Sequence, residues 1–159
     1  MTVINGLPAH VLFVHFLVVL VPLTALLEIV CGLWPAVRSR LVWLVLVLAV
    51  VTTALTPITT NAGEWLYDRQ REHSPILVKH ADLGGWMIYF SAALLVVAIL
   101  LAALHIAATR SGTRRPVAAV LVAVLALGVG IASMIQVYRV GDAGARSVWG
   151  GELTTSDKP

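Results

Sequence analysis

Four long apolar runs dominate this chain, and they constrain its fold more than any other feature. They cover about 9–33, 41–62, 83–107 and 116–138. An α-helix needs roughly 20 mostly apolar residues to cross the hydrocarbon core of a bilayer, and each run is long enough. The last three contain no Asp, Glu, Lys or Arg; the first contains one, Glu28. Apolar residues make up 59% of the 159 and charged residues 12%. An ordinary soluble domain carries about 25% charged residues, and so small a charged fraction cannot cover a soluble surface. The composition therefore excludes a soluble globular domain. It also excludes a disordered chain and a nucleic-acid binder, since both need far more charge.

The pattern predicts an all-α membrane protein, an antiparallel four-helix transmembrane bundle. One domain spans 1–149, and the polar tail 150–159 is expected to fray. The connections are short, so each helix runs antiparallel to the one before it. The first connection carries Arg38 and Arg40, and the third carries Arg110, Arg114 and Arg115 with no acid. The positive-inside rule places both in the cytoplasm, with both termini and the middle connection outside. Arg139 and Arg146, close to the fourth run, act against that orientation. No Lys or Arg precedes the first run, which is too long for the apolar part of a secretory signal. No internal repeat is evident. The single cysteine, Cys31, rules out an intramolecular disulfide and a Cys-x-x-Cys motif. Within an apolar run its thiol reads as a small hydrophobe.

Helical spacing gathers the small and polar residues into stripes. On the third helix, His80, Gly84, Met87, Ser91, Ala98, Ala102 and His105 share one face. The fourth aligns Ala119, Ala123, Ala126, Gly130 and Ser133; the second aligns Thr52, Thr56, Thr59 and Gly63. In lipid, helices associate through such small-residue faces, so most of these residues read as packing.

The ionisable residues are costlier to place in lipid. His10, Glu64, His80 and Asp142 fall at the outer ends of the four helices, and His15 lies about 7 Å deeper than His10. This set is expected to converge beneath the outer surface. The residues expected to hold a cofactor are His10, His15 and His80. The metal-ligand set is His10, His80, Glu64 and Asp142. Five residues separate His10 from His15, about 140° around a helix, so both face one axis only if the first turn is irregular or the helix tilts. Imidazole with carboxylate suits Zn, Fe or Cu, and two imidazoles from facing helices suit a b-type haem. Without a cofactor, the same groups can simply hydrogen-bond one another. Glu28 lies five turns after His10 on the same face, toward the cytoplasmic end. It reads as a proton-relay carboxylate, or as an interfacial glutamate protonated or paired with Arg38. His105 is expected at the interface or against Glu28, and His73 in solvent.

Three segments stand out in order: Gly6-Leu7-Pro8-Ala9-His10-Val11-Leu12-Phe13-Val14-His15-Phe16, then Ala62-Gly63-Glu64 with His80-Ala81-Asp82-Leu83-Gly84, then Gly141-Asp142-Ala143-Gly144. Together they resemble a family of bacterial membrane proteins known as domain of unknown function 2231. Many members carry histidine where this chain has Asp142. The resemblance implies a bacterial plasma-membrane protein with its functional site at His10, His15, Glu64, His80 and Asp142. An aspartate at 142 suits a metal site or a hydrogen-bond network but not an axial haem ligand.

Two main readings stay open, with a third beside them. One is a redox protein binding haem b or a transition metal ion, with a membrane redox partner or a second copy of the chain beside it. The other is a structural or accessory subunit whose cluster only joins helices. A small transporter or proton pathway through Glu28 is a third. No catalytic residue is assigned: neither a nucleophile elbow nor a Gly-rich phosphate loop is present, and an independent enzyme is the weaker expectation. Lipid is the expected surrounding, and nucleic acid is not a partner.

Overall fold

The computed structural model describes residues 3–4, 7–111 and 116–150. The polar tail beyond Gly150 and the connection at 112–115 lie outside them. After a two-residue antiparallel pair, β1 (Val3–Ile4) with β2 (Leu7–Pro8), the chain is helical. The helices are α1 (Ala9–Leu33), α2 (Pro35–Tyr67), α3 (Pro75–Gly85), α4 (Met87–Ser111) and α5 (Pro116–Trp149). Only Trp86 separates α3 from α4, so the two form one nearly continuous third span over Pro75–Arg110.

Local chemistry sets several helix starts. Proline has no N–H to lose at the first helical position, and its fixed φ suits the helix. Pro35, Pro75 and Pro116 each open a helix. Ser74 also caps α3 by accepting from the Leu77 N–H at 3.3 Å. A single extended residue, Trp34, turns the chain between α1 and α2. Arg38 therefore stands in the first turn of α2 rather than in a loop. It is buried, and its guanidinium donates to the Cys31 carbonyl at 3.4 Å.

Four helices are long and apolar enough to cross a membrane, and they pack as an all-α bundle. Around the bundle the order is α1, α2, α4, α5, each against the next, with α5 returning to α1. The starts of α1 and α3 and the ends of α2 and α5 share one end, the histidine-bearing end. The α1–α2 turn and the end of α4 form the other. The core falls into two layers. One, centred on Cys31, Val45, Val97, Leu101 and Ala126, lies toward the α1–α2 turn. The other contains Leu17, Val21, Met87, Leu94 and Val137. The small-residue stripes face inward: Thr52, Thr56 and Thr59, Ser91 and Ala98, and Ala126, Gly130 and Ser133 are all buried. The opposite faces expose residues such as Val19, Val47, Val96, Val120 and Val124. A belt of this kind is what lipid covers.

The helices at the histidine-bearing end outrun the apolar segments. α2 continues to Tyr67, the third span starts at Pro75, and α5 continues to Trp149. Hydropathy falls at the first charged residues, but backbone hydrogen bonding does not stop there. These polar extensions pack on one another, α3 chiefly against α5.

Candidate functional site

His10 is the second residue of α1. Its Nδ1 lies 2.9 Å from the carbonyl oxygen of Thr59 on α2. A carbonyl can only accept, so Nδ1 carries the proton and the neutral ring keeps its lone pair on Nε2. His80 on α3 repeats the arrangement, with Nδ1 3.0 Å from the carbonyl oxygen of Val140 on α5. Both residues are half-buried. Their rings meet edge to face, with centroids 6.1 Å apart and planes at 84°.

Each imidazole reaches the backbone of its neighbouring helix because a glycine stands one turn beyond the accepting carbonyl. A Cβ on Gly63 would lie 2.8 Å from His10 Nδ1, and one on Gly144 would lie 2.9 Å from His80 Cε1. Gly63 is four residues after Thr59, and Gly144 four after Val140. The flanking residues also match: Asn61-Ala62-Gly63 on α2 and Asp142-Ala143-Gly144 on α5, with Ala62 and Ala143 both buried. The fold thus uses one device twice, a histidine from the first helix of a hairpin laid on a glycine of the second. Two hairpins of the same sense are related in this way, and their histidines meet between them. Gln136 on α5 fastens the same region by donating to the Leu83 carbonyl at 2.8 Å.

The other expected members do not join the pair. α1 is helical from Ala9 onward, so the 140° between His10 and His15 persists. His15 is exposed, its Nδ1 bonded to the Val11 carbonyl of its own helix. Glu64 is exposed, because it follows Gly63 by about 100° around α2 and Gly63 already faces His10. Asp142 precedes Gly144 by two residues, about 200°, and so faces away from His80. Its carboxylate accepts from Arg146 Nε at 3.0 Å on the surface. Among the described residues no three His, Cys, Asp or Glu side chains are grouped to hold a metal ion. Of His10, His80, Glu64 and Asp142, the structure brings His10 and His80 together and turns Glu64 and Asp142 outward.

The remaining histidines have local roles. His73 stacks on Tyr67, with centroids 4.0 Å apart, and its Nε2 lies 3.1 Å from the Tyr67 carbonyl oxygen. His105 meets the Trp43 ring edge to face at 6.3 Å rather than Glu28. Glu28 is fully buried, and among the described residues neither carboxyl oxygen has a hydrogen-bond partner. No ion pair joins it to Arg38.

Four apolar spans packed through small residues, with polar side chains collected at one end, define a multi-pass integral membrane bundle. The chain belongs to the family of predicted membrane proteins called domain of unknown function 2231, whose model matches residues 6–157. No curated protein and no solved structure matches it.

Proposed function

We propose that the protein is a membrane cofactor carrier in which His10 and His80 supply two imidazole ligands to a haem b iron or a transition metal ion. The observation that carries this reading is the pair of main-chain bonds at Nδ1. Ligating histidines commonly donate their other ring N–H to a carbonyl or carboxylate, which fixes the tautomer and aims the free nitrogen. Both rings have that arrangement, and their centroids lie 6.1 Å apart. Two protein ligands suit haem, whose macrocycle supplies the other donors. A bare ion would need further ligands from solvent or from a second molecule. When bound, such a group would supply one-electron chemistry; the chain's own part is to hold, orient and partly desolvate it. Arg38, Arg40 and Arg110 stand at the opposite end of the bundle, which supports an outward-facing site by the positive-inside rule. In this reading the protein sits in a bacterial plasma membrane, beside a redox partner or a second copy.

A second reading, a structural or accessory subunit, has its own support. His10 bonds α1 to α2, His80 bonds α3 to α5, and their rings touch. The pair would then fasten all four spans without a ligand. An optical spectrum with metal analysis of the purified chain separates the two. Cofactor binding predicts haem absorption or stoichiometric metal that His80→Ala abolishes and His73→Ala keeps. An empty wild-type protein, with His80→Ala only less stable, would favour the fastener.

A further inference from the structure

Beyond whatever the histidines bind, we propose that Glu28 is a proton-exchange site, reached from the histidine-bearing end along buried threonine hydroxyls and closed on its other side by Arg38.

Glu28 is wholly enclosed, about 8 Å from the end of α1 at 1.5 Å per residue. Among the described residues both of its carboxyl oxygens lack a protein partner, and so does the buried hydroxyl of Ser133 on α5. Burying an unpaired carboxylate costs far more than burying the neutral acid, so the group rests as the acid. The Cys31 thiol on its own helix feels both Glu28 and the Arg38 guanidinium of α2. α4 carries no ionisable residue between Phe90 and Leu104, and α5 none between Pro116 and Val137. A merely structural position in this apolar layer would be filled more stably by leucine or methionine.

Above Glu28 the interior stays polar. Thr24 is one turn away on α1, and its hydroxyl lies 3.5 Å from that of Thr52 on α2. Thr56 and Thr59 continue the same face of α2, and all four threonines are buried. The Thr56 and Thr59 hydroxyls donate to the carbonyls of Thr52 and Leu55, each at 2.8 Å. Their lone pairs are thereby left for a second partner, and each must rotate off its carbonyl to hand its own proton on. Successive stripe positions are about 5–6 Å apart, so exchange along them needs a water admitted by local opening of the bundle. The column ends at Thr59, whose carbonyl accepts from His10.

Below Glu28 the column stops. Cys31 is the next turn of α1, and the buried Arg38 guanidinium is held on its carbonyl. A fixed cation there opposes entry of protons and cations from that end. The result is a half-path that binds and releases a proton without conducting it across the bundle.

Infrared spectroscopy of the full chain in lipid, transferred into D2O, tests this. We expect a protonated-acid carbonyl band that Glu28→Gln removes and that shifts as its proton exchanges. Thr52→Val with Thr56→Val should slow that exchange by on the order of tenfold, and Thr52→Ser with Thr56→Ser should restore it. Thr53→Val should leave it unchanged, because Thr53 stands about 100° around α2 from Thr52 and its hydroxyl turns to the Ser91 carbonyl of α4. An ionised Glu28 at neutral pH, or equal exchange rates in the wild type and the double valine variant, would overturn the proposal.

Discussion

At the scale of the residue, two glycines decide where the histidines can lie. Gly→Ala in a helix interior ordinarily gains up to about 1 kcal/mol in propensity. At Gly63 the new methyl would sit 2.8 Å from His10 Nδ1, and at Gly144 2.9 Å from His80 Cε1. Neither ring can retreat without giving up its bond to Thr59 or Val140, and overpacking of this kind costs about 1–3 kcal/mol. Gly63→Ala and Gly144→Ala should therefore lower thermal stability in detergent, against their propensity. Gly128→Ala, where a Cβ meets nothing within 4 Å, should be neutral or slightly stabilising. Equal melting temperatures for the three variants would contradict the glycine-cradle account. The sequence carried this signal as a repeated Ala-Gly behind Asn61 and behind Asp142, but two short matches in different hairpins gain meaning only once His10 and His80 are seen against them. The failure of Glu64 and Asp142 to join the pair is also a matter of helical phase. Glu64 follows the inward-facing Gly63 by one residue and Asp142 precedes the inward-facing Gly144 by two, so both turn away from the imidazoles.

At the scale of the element, close contact between α1 and α5 depends on missing side chains. A Cβ on Gly32 would lie 3.2 Å from Ala123 Cα, and one on Gly130 2.9 Å from Ile29 Cδ1. Gly130→Leu should push these helices apart and destabilise the bundle by about 1–3 kcal/mol, seen as early unfolding or aggregation on gel filtration. Normal assembly would mean that α5 does not need this approach. The stripe that predicts this contact was legible from spacing alone, because lipid leaves shape complementarity as the main packing signal. Helix ends were less legible. Hydropathy drops at Glu64, Asp82 and Arg139, yet α2, α3 and α5 carry their hydrogen bonding through all three. The segments that hold His80, Asp142 and Gly144 are therefore packed helix rather than loop. Arg38 shows the same effect at the other end, where it is a buried helix residue and not part of a connection.

At the scale of the whole molecule, the two hairpins place the start of α1, the end of α5 and the α2–α3 connection together, opposite the α1–α2 turn. Ser39→Cys and Ser74→Cys, in the buried presence of Cys31, should label from opposite faces of a sealed vesicle. Labelling of both from one face would break the four-span topology. Four apolar runs sufficed to read that topology, and the depths of the ionisable residues brought His10 and His80 to one end; which members of that set meet is a tertiary fact that spacing alone does not contain. On that meeting the functional account rests. Nitrogen-15 spectra of the imidazoles test it most directly. His10 and His80 should both show a protonated Nδ1 and an unprotonated Nε2, and both Nε2 signals should shift together when haem or a transition metal ion is added. Protonated Nε2 atoms with bare Nδ1, or a response confined to one ring, would contradict a shared site.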